Sequence, residues 1–250
     1  MLKHIESFKS FDVIHILIII LTLALVTLTI IFRNKLKLEK LQKILLLIGI
    51  ITEVIKVFSY IIINEDTLGG YLPKTDLPFH LCSMQIILLL ILNFTKNEKL
   101  KHLIYGFMLP TCLIGGFAAI LLPTSSAKSF VLIFIQYFTY HIAIVCFAAY
   151  LLTTKEIKFE LKDYFNTLLC LVGVLLVAIY INSILNDYIS NINFMYVVNP
   201  PVDGLPLLNK DHGWFVYILT YAAICVFAVT LCFLKTIILT IKNRKKPLDE

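Results

Sequence analysis

Cys82 lies in the stretch Leu77-Pro78-Phe79-His80-Leu81-Cys82-Ser83-Met84-Gln85, and His141 follows in a later apolar run. A cysteine and a histidine suffice for nucleophilic acyl chemistry. The thiolate attacks an ester carbonyl, and the imidazole carries the proton. Polar groups inside a membrane are costly unless paired or used. His80 stands two residues before Cys82, about 200° away around a regular helix, so it is a poor direct base. His141, arriving from another helix, is better placed. Gln85, three residues after Cys82, shares its face and can donate to an oxyanion. The plainer alternatives stay open: a buried cysteine is often inert filler, and a buried histidine can simply bond Tyr137 or Tyr140.

The elements that must position these groups are membrane helices. Hydrophobic residues make up 59% of the 250, charged residues 15%, and mean hydropathy is +0.89. A soluble domain is nearer half apolar and a quarter charged. Segments able to cross a hydrocarbon core run near Val13–Phe32, Lys43–Ile63, Leu77–Phe94, His102–Leu122, Phe130–Leu152, Asp163–Leu185 and Gly213–Ile241. Backbone that faces lipid must be satisfied internally. The expectation is an all-α polytopic bundle of about seven transmembrane helices, a single transmembrane domain over residues 1–250. The first segment is too long and uninterrupted for a signal-peptide core and reads as a retained helix.

The net charge of +6 follows the connections. Arg33, Lys35, Lys37, Lys40 and Lys43 fill the first, Lys96, Lys99 and Lys101 the third, and Lys155, Lys158 and Lys162 the fifth. Lys242, Arg244, Lys245 and Lys246 close the chain, whereas the even connections hold only Lys74, Lys128 and Lys210. This alternation predicts a multi-pass cell-membrane protein with its N-terminus outside and its C-terminus cytoplasmic. It argues against a nucleic-acid patch. The six cysteines all fall inside spans without CxxC spacing, so neither a metal nor a disulfide framework is expected. No sequence feature calls for a cofactor.

Pro78 fits the first turn of a helix capped by Thr75 or Asp76, which places Cys82 near a helix N-terminus. Counted from each span's lysine-rich end at ~1.5 Å per residue, Glu53 and His141 lie at ~15–16 Å, Cys82 at ~18 Å and Gln85 at ~13 Å. Lys56 and Tyr137 lie at ~20–22 Å by the same rise. Glu53 and Lys56 can pair three apart on one face. Either they neutralise each other, or one orients the histidine or binds a headgroup. The fourth span carries Pro110 and Gly115-Gly116, which predict a kink and a close helix contact. Asn186–His212 is a long connection, either a lid or a disordered link, with Tyr188, Phe194 and Tyr196 suited to an interfacial cap. Trp214 and Tyr217 read as belt aromatics beyond it.

The entry Leu77-Pro78-Phe79-His80-Leu81-Cys82-Ser83, the later His141, and the approach Asn199-Pro200-Pro201 to Trp214 resemble the bacterial YwaF-like integral membrane proteins. These are similar to the animal transmembrane-164 acyltransferase family. The resemblance covers nearly the whole chain. It implies that Cys82 is the acyl-accepting nucleophile and His141 its base, in CoA-independent acyl transfer between phospholipids and lysophospholipids. His80, Gln85, Glu53, Lys56 and Tyr137 are the candidate substrate-binding residues. A lipid hydrolase would use the same dyad. The alternative is a transporter, or a solute- or lipid-binding subunit, built on Glu53, Lys56 and His141.

Overall fold

The computed structural model describes residues 8–63, 76–123, 131–188, 192–201, 205 and 207–244. Seven α-helices follow one another among them: α1 (Val13–Ile31), α2 (Leu38–Ile63), α3 (Leu81–Phe94), α4 (Glu98–Leu121), α5 (Val131–Thr153), α6 (Leu161–Asn186) and α7 (Trp214–Arg244). Six are long and apolar enough to cross a membrane. The exception is α3, at 14 residues. It spans about 21 Å, short of a hydrocarbon core of roughly 30 Å.

The expected third span therefore starts a turn too early. Leu77 O accepts from Phe79 N at 2.7 Å, closing a tight turn around Pro78. The residue before a proline is pushed out of helical backbone, and here the helix begins only beyond that turn. His80 is the N-cap, with extended backbone (φ −78°, ψ 147°). It takes the place expected for Thr75 or Asp76; Thr75 lies outside the described residues. At the lysine-rich end, helices start earlier than expected because their first turns are capped. Asn97 Oδ1 accepts from Lys99 N and Leu100 N at 3.0 and 3.2 Å, and Glu160 and Asp163 form a reciprocal capping box.

The two central helices are α4 and α5, and their contact depends on Gly116. A Cβ added there would sit 2.5 Å from Val145 Cγ2 and 3.1 Å from Ile144 Cγ1. The expected close contact is met, and α4 runs unbroken through Pro110. Around this pair, α1 and α2 lean on α5, α3 fits between α2 and α4, and α6 joins α4 to α7. Met108, Cys112, Tyr140, Ile144 and Ala148 fill the core. All six cysteines are free thiols.

Candidate active site

Cys82 is the second residue of α3, so its surroundings are set by how that helix starts. The first intrahelical bond runs from Met84 N to His80 O at 3.1 Å. The amides of Leu81, Cys82 and Ser83 therefore precede the helical ladder, and His80 makes no side-chain cap bond to them. Such amides are preorganised donors for negative charge developing beside Cys82. From α5, the Tyr140 hydroxyl donates to the Cys82 carbonyl at 2.8 Å.

His141 follows Tyr140 on α5, and their rings are 5.9 Å apart. Its Nδ1 lies 2.6 Å from the Tyr137 carbonyl. A carbonyl can only accept, so the proton sits on Nδ1 and Nε2 keeps its lone pair. Nε2 has no partner among the described residues. The imidazole is thus held in the tautomer of a general base. Tyr140 bridges it to the α3 entry, and no hydrogen bond joins Cys82 to His141 directly among the described residues.

Gln85 is fully buried one turn farther along α3. Its Nε2 donates to Leu81 O and to Thr111 Oγ1, both at 3.1 Å. Thr111 spends its own hydroxyl proton on Phe107 O at 2.7 Å, so toward Gln85 it can only accept. Both amide hydrogens are used, and Oε1 is left without a partner among the described residues. The oxyanion-donor role read from the sequence does not fit this geometry. The free group is an acceptor.

The remaining candidates divide by partner. Lys56 Nζ meets Glu53 Oε1 at 2.7 Å, closing that pair on itself, with the Lys56 side chain 12% exposed. Glu53 is still within electrostatic reach of Tyr140. Tyr137 works through its carbonyl on His141, while its hydroxyl donates to Ala119 O at 3.0 Å. His80 Nδ1 accepts from Met195 N at 3.4 Å. Its ring lies 5.4 Å from Phe194 and 5.5 Å from Tyr196.

Those last contacts come from the long connection, which is built into the protein over residues 192–198. Asn182, buried in α6, exchanges two hydrogen bonds with the Phe194 backbone at 2.8 and 3.0 Å. Tyr221 donates to Met195 O at 2.9 Å, Trp214 Nε1 to Val197 O at 2.8 Å, and Tyr217 to Tyr196 O. These bonds hold Met195 and Tyr196 at φ 56° each, a left-handed conformation that costs such residues roughly 1–2 kcal/mol apiece. The segment covers the non-helical entry to α3, as irregular backbone at membrane depth requires. Phe194 is buried as the cap reading expects, whereas Tyr188 is 81% exposed. Tyr217 is fully buried instead of marking a boundary, because its hydroxyl holds the segment. Burial pushes the Tyr196 phenol up to about 12. Val202, Asp203 and Gly204 lie outside the described residues.

Sequence reasoning passed over Tyr140, Thr111 and Asn182 as site-building residues. A signal existed for Asn182, since Asn182 and Asn186 stand four apart at the end of a mostly apolar stretch. It also read the lysine-rich end only as a topology marker. That end holds a cavity of about 420 Å³ lined by Gln42, Lys43, Lys101, His102, Tyr105 and Glu156 among others.

Comparison with known families finds a match to the TMEM164 family over residues 8–233. No curated protein and no solved structure matches. The chain belongs to the TMEM164 family, and its helices make it a multi-pass membrane protein.

Proposed function

Starting from that family membership, we propose that this chain is a membrane-embedded acyltransferase in which Cys82 is the nucleophile and His141 Nε2 the base. The thiol proton passes to Nε2 as Sγ attacks the ester carbonyl of a phospholipid. The C–O bond then breaks, the leaving alkoxide takes the proton, and a lysolipid departs from a thioester on Cys82. A second lysolipid, or water, resolves the thioester with the proton moving the opposite way. Water as the acceptor makes the same site a lipid hydrolase. The uncapped amides at the start of α3 stabilise the oxyanion in both halves. The substrate enters sideways from the lipid phase.

The observation that carries this reading is the His141 tautomer: Nδ1–H is tied to Tyr137 O at 2.6 Å, and Nε2 is bare. A histidine kept only for packing has no need of an open nitrogen.

The test is to incubate purified protein with acyl-labelled phosphatidylcholine. A hydroxylamine-sensitive label should appear on Cys82 as lysolipid is released. Cys82→Ser should lose nearly all turnover, because a hydroxyl is far less acidic than a thiol. Cys112→Ser should keep turnover. Full turnover in Cys82→Ser would sink the proposal.

A further inference from the structure

The Gln85 amide is oriented by two acceptors that cannot exchange roles with it: a backbone carbonyl and a hydroxyl whose proton is already spent. Its Oε1 is consequently a buried acceptor with nothing to accept from among the described residues. Leaving such a group unpaired normally costs about 1–3 kcal/mol. Gln85 shares the Cys82 face of α3, and Cys112, next to its anchor Thr111 on α4, is within electrostatic reach of Cys82. The orphan acceptor therefore lies one turn from Cys82 on the same side of α3.

An ester donor of acyl groups brings no hydrogen there, since both of its oxygens, carbonyl and alkoxy, are acceptors only. The acyl acceptor does. When a hydroxyl attacks the thioester, its proton goes to His141 Nε2 and then to Sγ as the C–S bond breaks and the new C–O bond forms. That uses one donor.

We infer that Gln85 Oε1 binds a second donor on the acyl acceptor, so the site selects nucleophiles carrying two O–H or N–H groups. Water is the smallest of these, and a lysolipid with a second hydroxyl or an amine near the attacking oxygen is the natural large one. The inference rests on the Cys82 thioester reading and makes Gln85 a positioning residue for the second half-reaction alone.

The experiment separates the two halves. Wild type and Gln85→Met are loaded from labelled phosphatidylcholine, and the thioester is chased with water, 1-propanol or 1,2-propanediol. Wild type should resolve with the diol about tenfold faster than with the mono-alcohol, the value of one hydrogen bond. Gln85→Met should form the thioester at the wild-type rate, resolve it at least tenfold more slowly, and lose the diol preference. Should Gln85→Met fail to fold, Thr111→Val keeps Oε1 but unpins the amide, and the diol preference should shrink. An unchanged preference in whichever variant folds overturns the inference, as does equal loss of both half-reactions. A wild-type thioester that resolves without preference overturns it alone. No thioester on wild-type Cys82 fails the parent reading, and the inference falls with it.

Discussion

His15 and His141 are both buried, and both bond a backbone carbonyl, but only His15 has both ring nitrogens engaged. Its Nε2 donates to Ile120 O at 2.7 Å, and its Nδ1 accepts from Phe11 N at 2.8 Å. His141 closes Nδ1 and leaves Nε2 open. Other polar groups divide in the same way, though not strictly by place: Ser59 Oγ and Thr167 Oγ1 are also buried without a partner among the described residues. At the lysine-rich end, Gln42 accepts from Tyr105, His102 pairs with Asp163, Glu39 with Lys43, and Glu98 with Lys101. On α5 and α3, His141 Nε2 and Gln85 Oε1 stand without partners among the described residues. A buried polar group kept for structure closes its hydrogen bonds within the protein, because the alternative is expensive. One kept for a ligand cannot.

The largest effect comes from breaking the histidine contrast. His141→Gln should lower turnover by about 10²–10⁴-fold, the usual range for a lost general base, with little change in melting temperature. His15→Gln should do the reverse. It leaves turnover per folded molecule near wild type and destabilises by about 1–3 kcal/mol, because buried backbone groups lose their partner. Turnover and thermal unfolding measured on both variants check this. Equal loss of turnover would remove the contrast.

Much of the fold is legible in the chain, because a span must be a long apolar run and the lysines sort the connections. The candidate nucleophile and base are legible too, as polar residues placed where polarity is costly. What local reasoning cannot supply is how each group is partnered. Pro78 suits a helix start or a turn ahead of one, and the choice goes with cover from residues more than a hundred positions later. Gln85 reads as a donor until Thr111, on another helix, is seen to take its proton. Tyr217 reads as a boundary aromatic until its hydroxyl is seen to hold Tyr196. Each is a long-range hydrogen bond, and no local pattern encodes one.

An intermediate effect contrasts two glycines. Gly116 is pressed against Val145, whereas a Cβ at Gly173 of α6 would meet nothing within 4 Å. Val145 is β-branched and stiff at χ1, so it cannot swing aside. Gly116→Ala should cost about 1–3 kcal/mol as overpacking between α4 and α5. Gly173→Ala should be neutral or stabilise by up to about 1 kcal/mol through helix propensity. Unfolding of both variants in the same detergent decides the matter. Equal stability would mean that the α4–α5 seam can open freely, and the position of Tyr140 with it.

The smallest effect is expected at the lysine-rich end, where His102 and Asp163 are paired with each other. His102 Nε2 donates to Asp163 Oδ2 at 2.9 Å, with the His102 side chain 38% exposed and that of Asp163 8%. Asp163 Oδ2 also accepts from Glu160 N at 2.6 Å, completing the cap of α6. His102→Gln removes the first bond and spares the second. Half-exposed pairs of this kind are worth less than about 1 kcal/mol, so stability should fall by no more than that, and turnover should not move. Asp163→Ala removes both bonds and should cost more, by the roughly 1 kcal/mol that a capping interaction supplies. Urea unfolding and turnover of the two variants measure the difference. If His102→Gln slows turnover tenfold, the lysine-rich end is not purely structural, and the cavity beside Tyr105 has to be counted as a second part of the site.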